Sequence, residues 1–273
     1  MKKFRQILAI AGIVLLLLLY GSTMVFALMD SPNSRNLFLL SIGMTILVPV
    51  VLYAFLLVAK HLENRNRKPE PASRIKNIVF DVGNVLVDFQ WDAYLDSMNL
   101  APDVRAAVKQ ATWPTPQWEE RDRGLRTQEE EIRVFQKLAP GYEEEVRRIM
   151  EKENDSLHLF DYSRTWIQYL QSKGYRTYLL SNVSTHMLEG FREKMDFLSQ
   201  MDGAVFSCEV HSLKPEPEIY QVLFDTYRLK PEECIFLDDR VQNVEAARKA
   251  GMEGIVFTDF KSAARKLEEY GIG

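Results

Sequence analysis

From residue 75 to its C-terminus, the chain alternates short runs of β-branched and aromatic residues with amphipathic helical stretches. Five runs have the length and composition of buried strands, and they occupy residues 78–80, 175–180, 204–206, 235–237 and 255–257. Helical segments are expected around residues 162–173, 184–195, 216–228, 241–250 and 260–270. Strands and helices that alternate in this way form a parallel sheet with helices on both faces. The sequence therefore predicts an α/β fold with a doubly wound, Rossmann-like parallel sheet.

One long segment, residues 89–160, interrupts this alternation within the first crossover. It shows no strand pattern and is rich in Glu, Arg and Gln with spaced apolar residues, which is typical of helices. We therefore expect a domain over residues 75–273 with a helical cap inserted at about 89–160.

Two runs without any charged residue precede this domain, at residues 6–29 and 37–59. A helix that rises ~1.5 Å per residue crosses the ~30 Å hydrocarbon core with runs of this length. The polar connection at 30–36 is too short for a domain, so residues 1–59 are predicted to form a two-helix transmembrane hairpin whose partner is the lipid bilayer. The polar segment 60–74 contains two prolines and is predicted to be a linker.

The basic residues around the hairpin indicate its orientation. They lie before the first run and after the second, at Lys2, Lys3, Arg5, Lys60, Arg65, Arg67 and Lys68. The connection holds only Arg35, so the positive-inside rule predicts a two-pass membrane protein with residues 60–273 in the cytoplasm. One alternative is that residues 1–29 are a cleaved signal peptide, in which case the second run acts as a stop-transfer segment. Buried helices of a soluble protein are the other, although runs this free of charge speak against them.

The charge and the cysteines speak against nucleic-acid binding, a disulfide framework and a zinc site. A formal net charge of −4 lacks the basic excess of a general nucleic-acid binder. Cys208 and Cys234 lie outside any C-x-x-C spacing, so neither a disulfide framework nor a zinc site is indicated.

Polar residues follow the predicted strands in a consistent pattern. Asp81 follows the first strand, Ser181 and Asn182 the second, Lys214 lies in the loop after the third, and Asp238 and Asp239 end the fourth. Ligands of doubly wound sheets bind outside the carboxyl ends of the strands, so these side chains are expected to converge. Carboxylates packed this closely need a cation, and an oxygen-only site suits Mg²⁺. With a nucleophilic carboxylate, a hydroxyl and a lysine, such a site has the groups that phosphoryl transfer to a carboxylate requires.

Four segments resemble, in order, the four motifs of the haloacid dehalogenase-like hydrolase superfamily, and they are residues 78–88, 180–182, 213–220 and 236–251. The branch is the one with a helical cap between the first and second motifs. It includes sugar-phosphate phosphatases related to bacterial α-glucose-1-phosphate phosphatase, and the phosphatase domain of epoxide hydrolases. The resemblance covers residues 75–273. It implies Mg²⁺-dependent hydrolysis of a small phosphorylated metabolite, such as a sugar phosphate, through an aspartyl-phosphate.

The resemblance also implies a role for each matching residue. Asp81 would be the nucleophile and a metal ligand, and Gly83 would offer its backbone carbonyl to the metal. Ser181 and Asn182 would bind the transferring phosphoryl group, and Lys214 would neutralise the nucleophile and the phosphate.

The acid pair matches the superfamily's metal-binding motif. Asp239 aligns with the direct metal ligand, and Asp238 with the neighbouring acid that often acts through water. Asn243 falls where the superfamily often has a further Asp or Asn.

One position departs from the family pattern. Most phosphatases of the superfamily have an aspartate two residues after the nucleophile, which acts as general acid and base, whereas this chain has Gly83. Asp88, His186 or a residue of the cap would have to replace it. Trp113 and Trp118 in the cap are expected either to contact substrate or to pack the cap's own core.

Several other functions share parts of this pattern. A response-regulator-like phosphoacceptor has its paired acids on the first strand, the reverse of the order here. A dehalogenase needs no metal and would not keep Asp238 and Asp239, whereas a phosphonate hydrolase needs a cap lysine, such as Lys109 or Lys137. The rival of another class is a membrane-tethered interaction module that keeps the fold with little turnover, and Gly83 is its main support.

Overall fold

The computed structural model describes residues 74–273 continuously, together with scattered helical positions between residues 18 and 53. The chain divides into two compact units, Met1–Arg67 and Lys68–Gly273. Among the described residues, no helix is long and apolar enough to cross a membrane. Most of the predicted hairpin, its flanking basic residues and nearly all of the predicted linker lie outside the described residues.

Seven strands lie within residues 74–273, and they are β1 (Asn77–Phe80), β2 (Val87–Phe89), β3 (Leu157–Leu159), β4 (Arg176–Ser181), β5 (Gly203–Phe206), β6 (Cys234–Asp238) and β7 (Glu253–Val256). Five of them form one sheet in the order β5-β4-β1-β6-β7, and every neighbouring pair is parallel. The predicted α/β fold with a parallel, doubly wound sheet is therefore confirmed.

Five helices follow β2 along the chain, namely α1 (Trp91–Ser97), α2 (Pro102–Ala111), α3 (Pro116–Arg121), α4 (Gln128–Leu138) and α5 (Glu143–Glu151). Six more follow β3, namely α6 (Tyr162–Ser172), α7 (Thr185–Lys194), α8 (Ser207–Val210), α9 (Pro217–Tyr227), α10 (Val241–Lys249) and α11 (Phe260–Glu269). Helix α4 begins with a complete capping box between Thr127 and Glu130, which satisfies backbone N–H groups that the helix itself leaves unpaired.

Strand β1 is buried along its whole length because apolar side chains cover both faces of the sheet. Ile78 and Phe80 belong to one apolar cluster, where the ring of Phe80 meets that of Trp166 on α6 edge-on at 5.1 Å. Val79 points to the opposite cluster, which contains Tyr220 on α9. Buried side chains of this size typically contribute ~2–5 kcal/mol each, so this two-sided packing fixes the position of the strand and of the residue that follows it.

The expectation that residues 89–160 contain no strand is wrong at the end of the segment. Residues Leu157–Leu159 form β3, which pairs antiparallel with β2 through Val87↔Leu159 and Phe89↔Leu157. Three residues are too few to show an alternating pattern. The partner strand β2 is also distant in the sequence, because the helices α1–α5 lie between the two strands. This ribbon joins the helical insertion to the sheet domain.

Candidate active site

The carboxyl ends of three adjacent strands bring the predicted residues to one edge of the sheet. β1 lies between β4 and β6, with Phe80 paired to Leu179 on one side and to Leu237 on the other. The backbone N–H of Asp81 extends the ladder by donating to the carbonyl of Leu237 over 2.8 Å. Asp81 therefore lies beside the ends of β4 and β6, where the other predicted residues are found.

Lys214 connects two of the carboxylates. Its Nζ lies 2.8 Å from Asp81 Oδ1 and donates to Asp238 Oδ2 over 2.7 Å, and its side chain is 1% exposed. Burial disfavours the charged form of Lys214, but Asp238 and Asp81 outweigh it and raise the lysine pKa. The lysine is therefore held charged between the two acids.

The acids nevertheless outnumber the lysine. The pKa of Asp81 is raised to about 8, chiefly by burial and also by the carboxylates of Asp238 and Asp239, while Lys214 opposes the rise. Burial likewise raises the pKa of Asp239, with a hydrogen bond from Asn84 opposing it and Asp238 adding to it. A site with this unbalanced negative charge favours a bound cation.

The ligand atoms of the cluster suit a magnesium ion. Asp81, Asp238 and Asp239 each offer a carboxylate oxygen, and these oxygens lie within 4.8 Å of one another. The described residues contribute no nitrogen or sulfur ligand to this group, and an oxygen-only set is characteristic of hard cations. Gly83 also lines the adjoining cavity, consistent with the backbone-carbonyl role that the resemblance implies.

The two neighbouring acids differ in how they are used. Asp238 is fully buried, and its oxygens accept from Lys214 Nζ, from the backbone N–H of Arg240 over 2.8 Å, and from Asn243 Nδ2 over 3.0 and 3.1 Å. Asp239 lines the cavity and accepts from Asn84 Nδ2 over 2.9 Å. Asp239 thus keeps lone pairs for a ligand, whereas Asp238 holds Lys214 and the loop after β6.

The side-chain amide of Asn182 binds the backbone of Lys214. Its Oδ1 accepts from the backbone N–H of Lys214 over 2.8 Å, and its Nδ2 donates to the backbone carbonyl of Lys214 over 2.9 Å. Ser181 is buried at the end of β4, and its Oγ makes a long contact of 3.4 Å with the carbonyl of Asn182. The phosphoryl-binding roles of both residues stay predictions, while the geometry adds a positioning role for Asn182.

Sequence reasoning missed Asn84. Its backbone has φ of 57°, the left-handed region that Asn tolerates better than most residues, and this conformation directs its amide to Asp239. The Gly83-Asn84 pair shortly after Asp81 is a turn signal that could have drawn attention to it.

Two of the predicted substitute acids do not line the cavity that contains Asp81. Asp88 on β2 accepts from Gln90 Nε2 over 2.6 Å, and its side chain is absent from the cavity wall. His186, in the first turn of α7, has its Nδ1 3.6 Å from Glu189 and is absent from the wall as well. Their proximity in sequence to the first and second motifs does not bring them to Asp81.

A cavity of about 450 Å³ opens between this edge of the sheet and the cap. Its polar floor includes Asp81, Asn84, Lys214 and Asp239. Its apolar wall is formed by side chains from the cap and from α7, namely Phe89, Trp113, Trp118, Met187 and Phe191. The cap also contributes two carboxylates, Glu119 and Asp122.

The cap tryptophans pack within the cap, which is one of the two expected roles, and their contact with substrate stays a prediction. The ring of Trp118 lies 4.7 Å from that of Trp91 and 5.9 Å from that of Trp113, within an aromatic cluster of the cap. Trp113 and Trp118 also face the cavity, where they would meet a ligand. The cap lysines of the phosphonate-hydrolase hypothesis, Lys109 and Lys137, are absent from the wall, which removes its Schiff-base residue.

A Rossmann-like sheet with an aspartate after its first strand, a buried lysine and an acid pair, all beneath a helical cap, defines a class of capped hydrolases. Residues 75–251 match the haloacid dehalogenase-like hydrolase family, and the chain belongs to this family.

Two relatives show how much of the chain is similar to known proteins. Bifunctional epoxide hydrolase 2 of Rattus norvegicus is 39% identical over 108 residues, which is 37% of this chain and 19% of that protein. Flavin mononucleotide hydrolase 1 of Arabidopsis thaliana is 27% identical over 157 residues, 57% of this chain and 62% of that protein. The chain thus spans less than two thirds of the length of either relative.

A solved structure shows the same fold. A haloacid dehalogenase family enzyme of Bacteroides thetaiotaomicron, in complex with magnesium and inorganic phosphate, superposes with a TM-score of 0.55 at 19% identity. The superposition covers 69% of this chain and 98% of that one.

Proposed function

We propose that the protein is a magnesium-dependent phosphatase that hydrolyses a small phosphate monoester through an aspartyl-phosphate on Asp81. The observation that carries this proposal is the position of Lys214 between Asp81 and Asp238, on the floor of a capped cavity that also contains Asp239. The relative from Arabidopsis is named for hydrolysis of flavin mononucleotide, itself a phosphate monoester, which supports the same reaction class here.

The side chains divide the reaction between them. The carboxylate of Asp81 attacks phosphorus, the bond to the leaving oxygen breaks, and water then hydrolyses the acyl phosphate. Lys214 stabilises negative charge on Asp81 and on the transferring group, and Asn182 fixes the lysine's backbone. Mg²⁺, held by Asp81, Asp239 and the carbonyl of Gly83, would supply neutralisation of the carboxylate and phosphate charge when bound.

The cavity indicates the shape of the substrate. Its polar floor suits the phosphate, and the rings of Phe89, Trp113 and Trp118 suit a flat or apolar face on the alcohol portion. Such a face can be an aromatic ring or the C–H face of a sugar, so sugar phosphates remain within the proposed class.

The test is hydrolysis of a panel of phosphate monoesters by the purified full-length protein with magnesium. We expect turnover that chelation abolishes, that magnesium restores and that Asp81→Asn, an isosteric change, removes. A wild-type protein that hydrolyses nothing in the panel, with Asp81→Asn indistinguishable from it, would favour the interaction module of low turnover. Activity that persists in Asp81→Asn would contradict the covalent mechanism.

We further propose that residues 1–59 tether this domain to the membrane as a two-pass hairpin, through the linker 60–74, with the domain in the cytoplasm. The support is the sequence alone, namely two uncharged runs and basic residues outside them. A reporter fused after Gly273 that is active only in the cytoplasm is the expected result. A fusion that is active only outside the cytoplasm, or a chain that remains soluble after cell lysis, would contradict this topology.

A further inference from the structure

The glycine at position 83 leaves the leaving oxygen of a substrate without its usual proton donor, so the cavity wall has to be searched for another. Besides the acids of the metal cluster, the wall contains Glu119 and Asp122, both from the cap. Glu119 forms an ion pair with Arg240 over 2.9 Å, so its carboxylate already has a cationic partner, and its side chain is 52% exposed. Asp122 is the better candidate for a proton donor.

The environment of Asp122 differs from that of Glu119. Its side chain is 15% exposed, and its nearest cation, Arg121 Nε, lies at 3.8 Å. Among the described residues, its carboxyl group takes part in no side-chain hydrogen bond within the usual distance. The pKa of Asp122 is raised to about 7, chiefly by burial and also by the nearby Glu153 and Glu119 carboxylates, while Arg121 and Arg240 oppose the rise. A carboxyl group in such a place can exchange a proton near neutral pH.

The backbone of Asp122 is tied to the loops that carry the site. The hydroxyl of Ser207 donates to the carbonyl of Asp122 over 2.6 Å and accepts from the N–H of Val183 over 2.9 Å. Val183 follows Asn182 directly, so one hydroxyl joins the cap to the loop after β4.

Two further contacts hold the same turn. Gly124 has φ of +64°, and a Cβ there would lie 2.4 Å from the carbonyl oxygen of Cys208, so only glycine allows this approach to α8. Arg123 forms a bidentate ion pair with Glu216, which lies two residues after Lys214 in the sequence. The position of Asp122 over the cavity is therefore fixed by the core domain.

We propose that Asp122 is the general acid and base of the reaction and takes the place of the side chain absent at Gly83. This inference rests on the proposed phosphatase function. In the first half-reaction, the Asp81 oxygen forms its bond to phosphorus, the bond to the leaving oxygen breaks, and the Asp122 carboxyl gives its proton to that oxygen. In the second, Asp122 takes a proton from water as the water oxygen attacks phosphorus, and the bond from phosphorus to Asp81 breaks to release phosphate.

Asp122→Asn tests the first step through the leaving group. The matched probes are para-nitrophenyl phosphate, whose phenolate leaves without a proton, and phenylethyl phosphate, whose alkoxide needs one. The variant should lose about 10²–10⁴-fold in kcat/KM for the alkyl ester and less than about tenfold for the aryl ester. Glu131→Gln is the control, because Glu131 is also a buried cap carboxyl with a pKa raised by burial, yet it is absent from the cavity wall.

The second step has its own readout. Without the base, para-nitrophenyl phosphate should phosphorylate Asp81 faster than water removes the group. Asp122→Asn should therefore show a burst of nitrophenol and a mass increase of about 80 Da that the wild type does not accumulate. If Asp122 had only a structural role, the variant would slow both half-reactions and the phosphorylated enzyme would not accumulate.

Rescue completes the test. A Cβ at Gly83 would have no atom within 4 Å, so Gly83→Asp meets no clash at its Cβ. In the Asp122→Asn background, Gly83→Asp should raise kcat/KM for the alkyl ester by at least about tenfold. If Asp122→Asn is poorly folded, Asp122→Glu replaces it in the test. Because Asp122→Glu keeps a carboxyl group, it should retain the alkyl-ester activity.

The outcomes separate the two proposals. Asp81-dependent hydrolysis with the same ratio of alkyl to aryl activity in Asp122→Asn and wild type overturns the role of Asp122 alone. A wild type without Asp81-dependent hydrolysis of either ester overturns the phosphatase and the role of Asp122 with it.

Discussion

The Nζ of Lys214 donates to Asp238 Oδ2 over 2.7 Å at a point where the two side chains are 1% and 0% exposed. Lys214→Met removes this bond and leaves the Asp238 and Asp81 carboxylates without their cation. Breaking one partner of a buried pair typically costs ~3–5 kcal/mol, so the free energy of unfolding in urea should fall by about that amount. The activity should fall by at least about 10²–10³-fold, because the transferring phosphate loses a positioned charge.

Lys230→Met is the control for this variant. Lys230 lies 3.9 Å from Glu233 with its side chain 69% exposed, and exposed pairs contribute ~1 kcal/mol or less. Equal losses of stability in the two variants would mean that the buried lysine is no more important than a surface one.

The acid pair should separate into a metal ligand and a positioning residue. Asp239→Asn should weaken Mg²⁺ binding by at least about 100-fold, beyond the ~10–100-fold loss typical of an outer partner. Asp238→Asn should instead lower the free energy of unfolding by about 3 kcal/mol, because Lys214 then lies buried beside a neutral amide. Titration calorimetry with Mg²⁺ alone and urea unfolding of each variant measure the two effects.

Equal losses of Mg²⁺ affinity in the two variants would show that Asp238 is a direct ligand as well. The full set of hydrogen bonds that Asp238 already accepts makes that result unexpected.

The sheet and the central acids could be predicted from sequence because both depend on local pattern. A buried parallel strand is a short apolar run, and the ends of neighbouring strands meet at one edge. Asp81, Lys214 and Asp238 could therefore be brought together without any knowledge of side-chain packing.

The cap's contribution depends on contacts between distant parts of the chain. Asp122 sits in a charged stretch, where its neighbours resemble a solvated surface, and its burial follows from the contact of its turn with α8. Asp88 illustrates the converse, because side chains alternate along β2 and its carboxylate is directed away from the cavity that Phe89 lines.

A buried ion pair in the cap should control the cap's stability. Arg121 donates to Glu153 over 2.6 Å, both side chains are 1% exposed, and the guanidinium lies 3.5 Å from the ring of Trp118. Arg121→Met should lower the free energy of unfolding by about 3–5 kcal/mol, since Glu153 would be buried without a partner. Adding Glu153→Gln should recover part of that loss, which urea unfolding of the double variant measures.

The exposed pair Arg164–Asp196 provides the comparison. Its side chains are 50% and 58% exposed, so Arg164→Met should cost about 1 kcal/mol or less. A larger loss at Arg164 than at Arg121 would contradict the importance of the buried pair.

Glu131 should make stability depend on pH. Burial raises its pKa from 4.5 to about 7, with Glu153 and Asp122 adding to the effect and Arg121 opposing it. Because the folded state binds this proton more tightly than the unfolded state, the carboxyl costs stability as pH rises from about 4.5 to about 7. At about 1.36 kcal/mol per pKa unit, the loss reaches up to about 3 kcal/mol.

Glu131→Gln removes this titration and should therefore be more stable than the wild type at pH 8 by up to about 3 kcal/mol, with little difference near pH 4. Urea unfolding of both proteins across this pH range gives the difference directly. Glu144→Gln, an exposed carboxyl of the same cap, should follow the wild-type curve at every pH. A constant offset between Glu131→Gln and wild type from pH 4 to pH 8 would show that folding does not raise the pKa of Glu131.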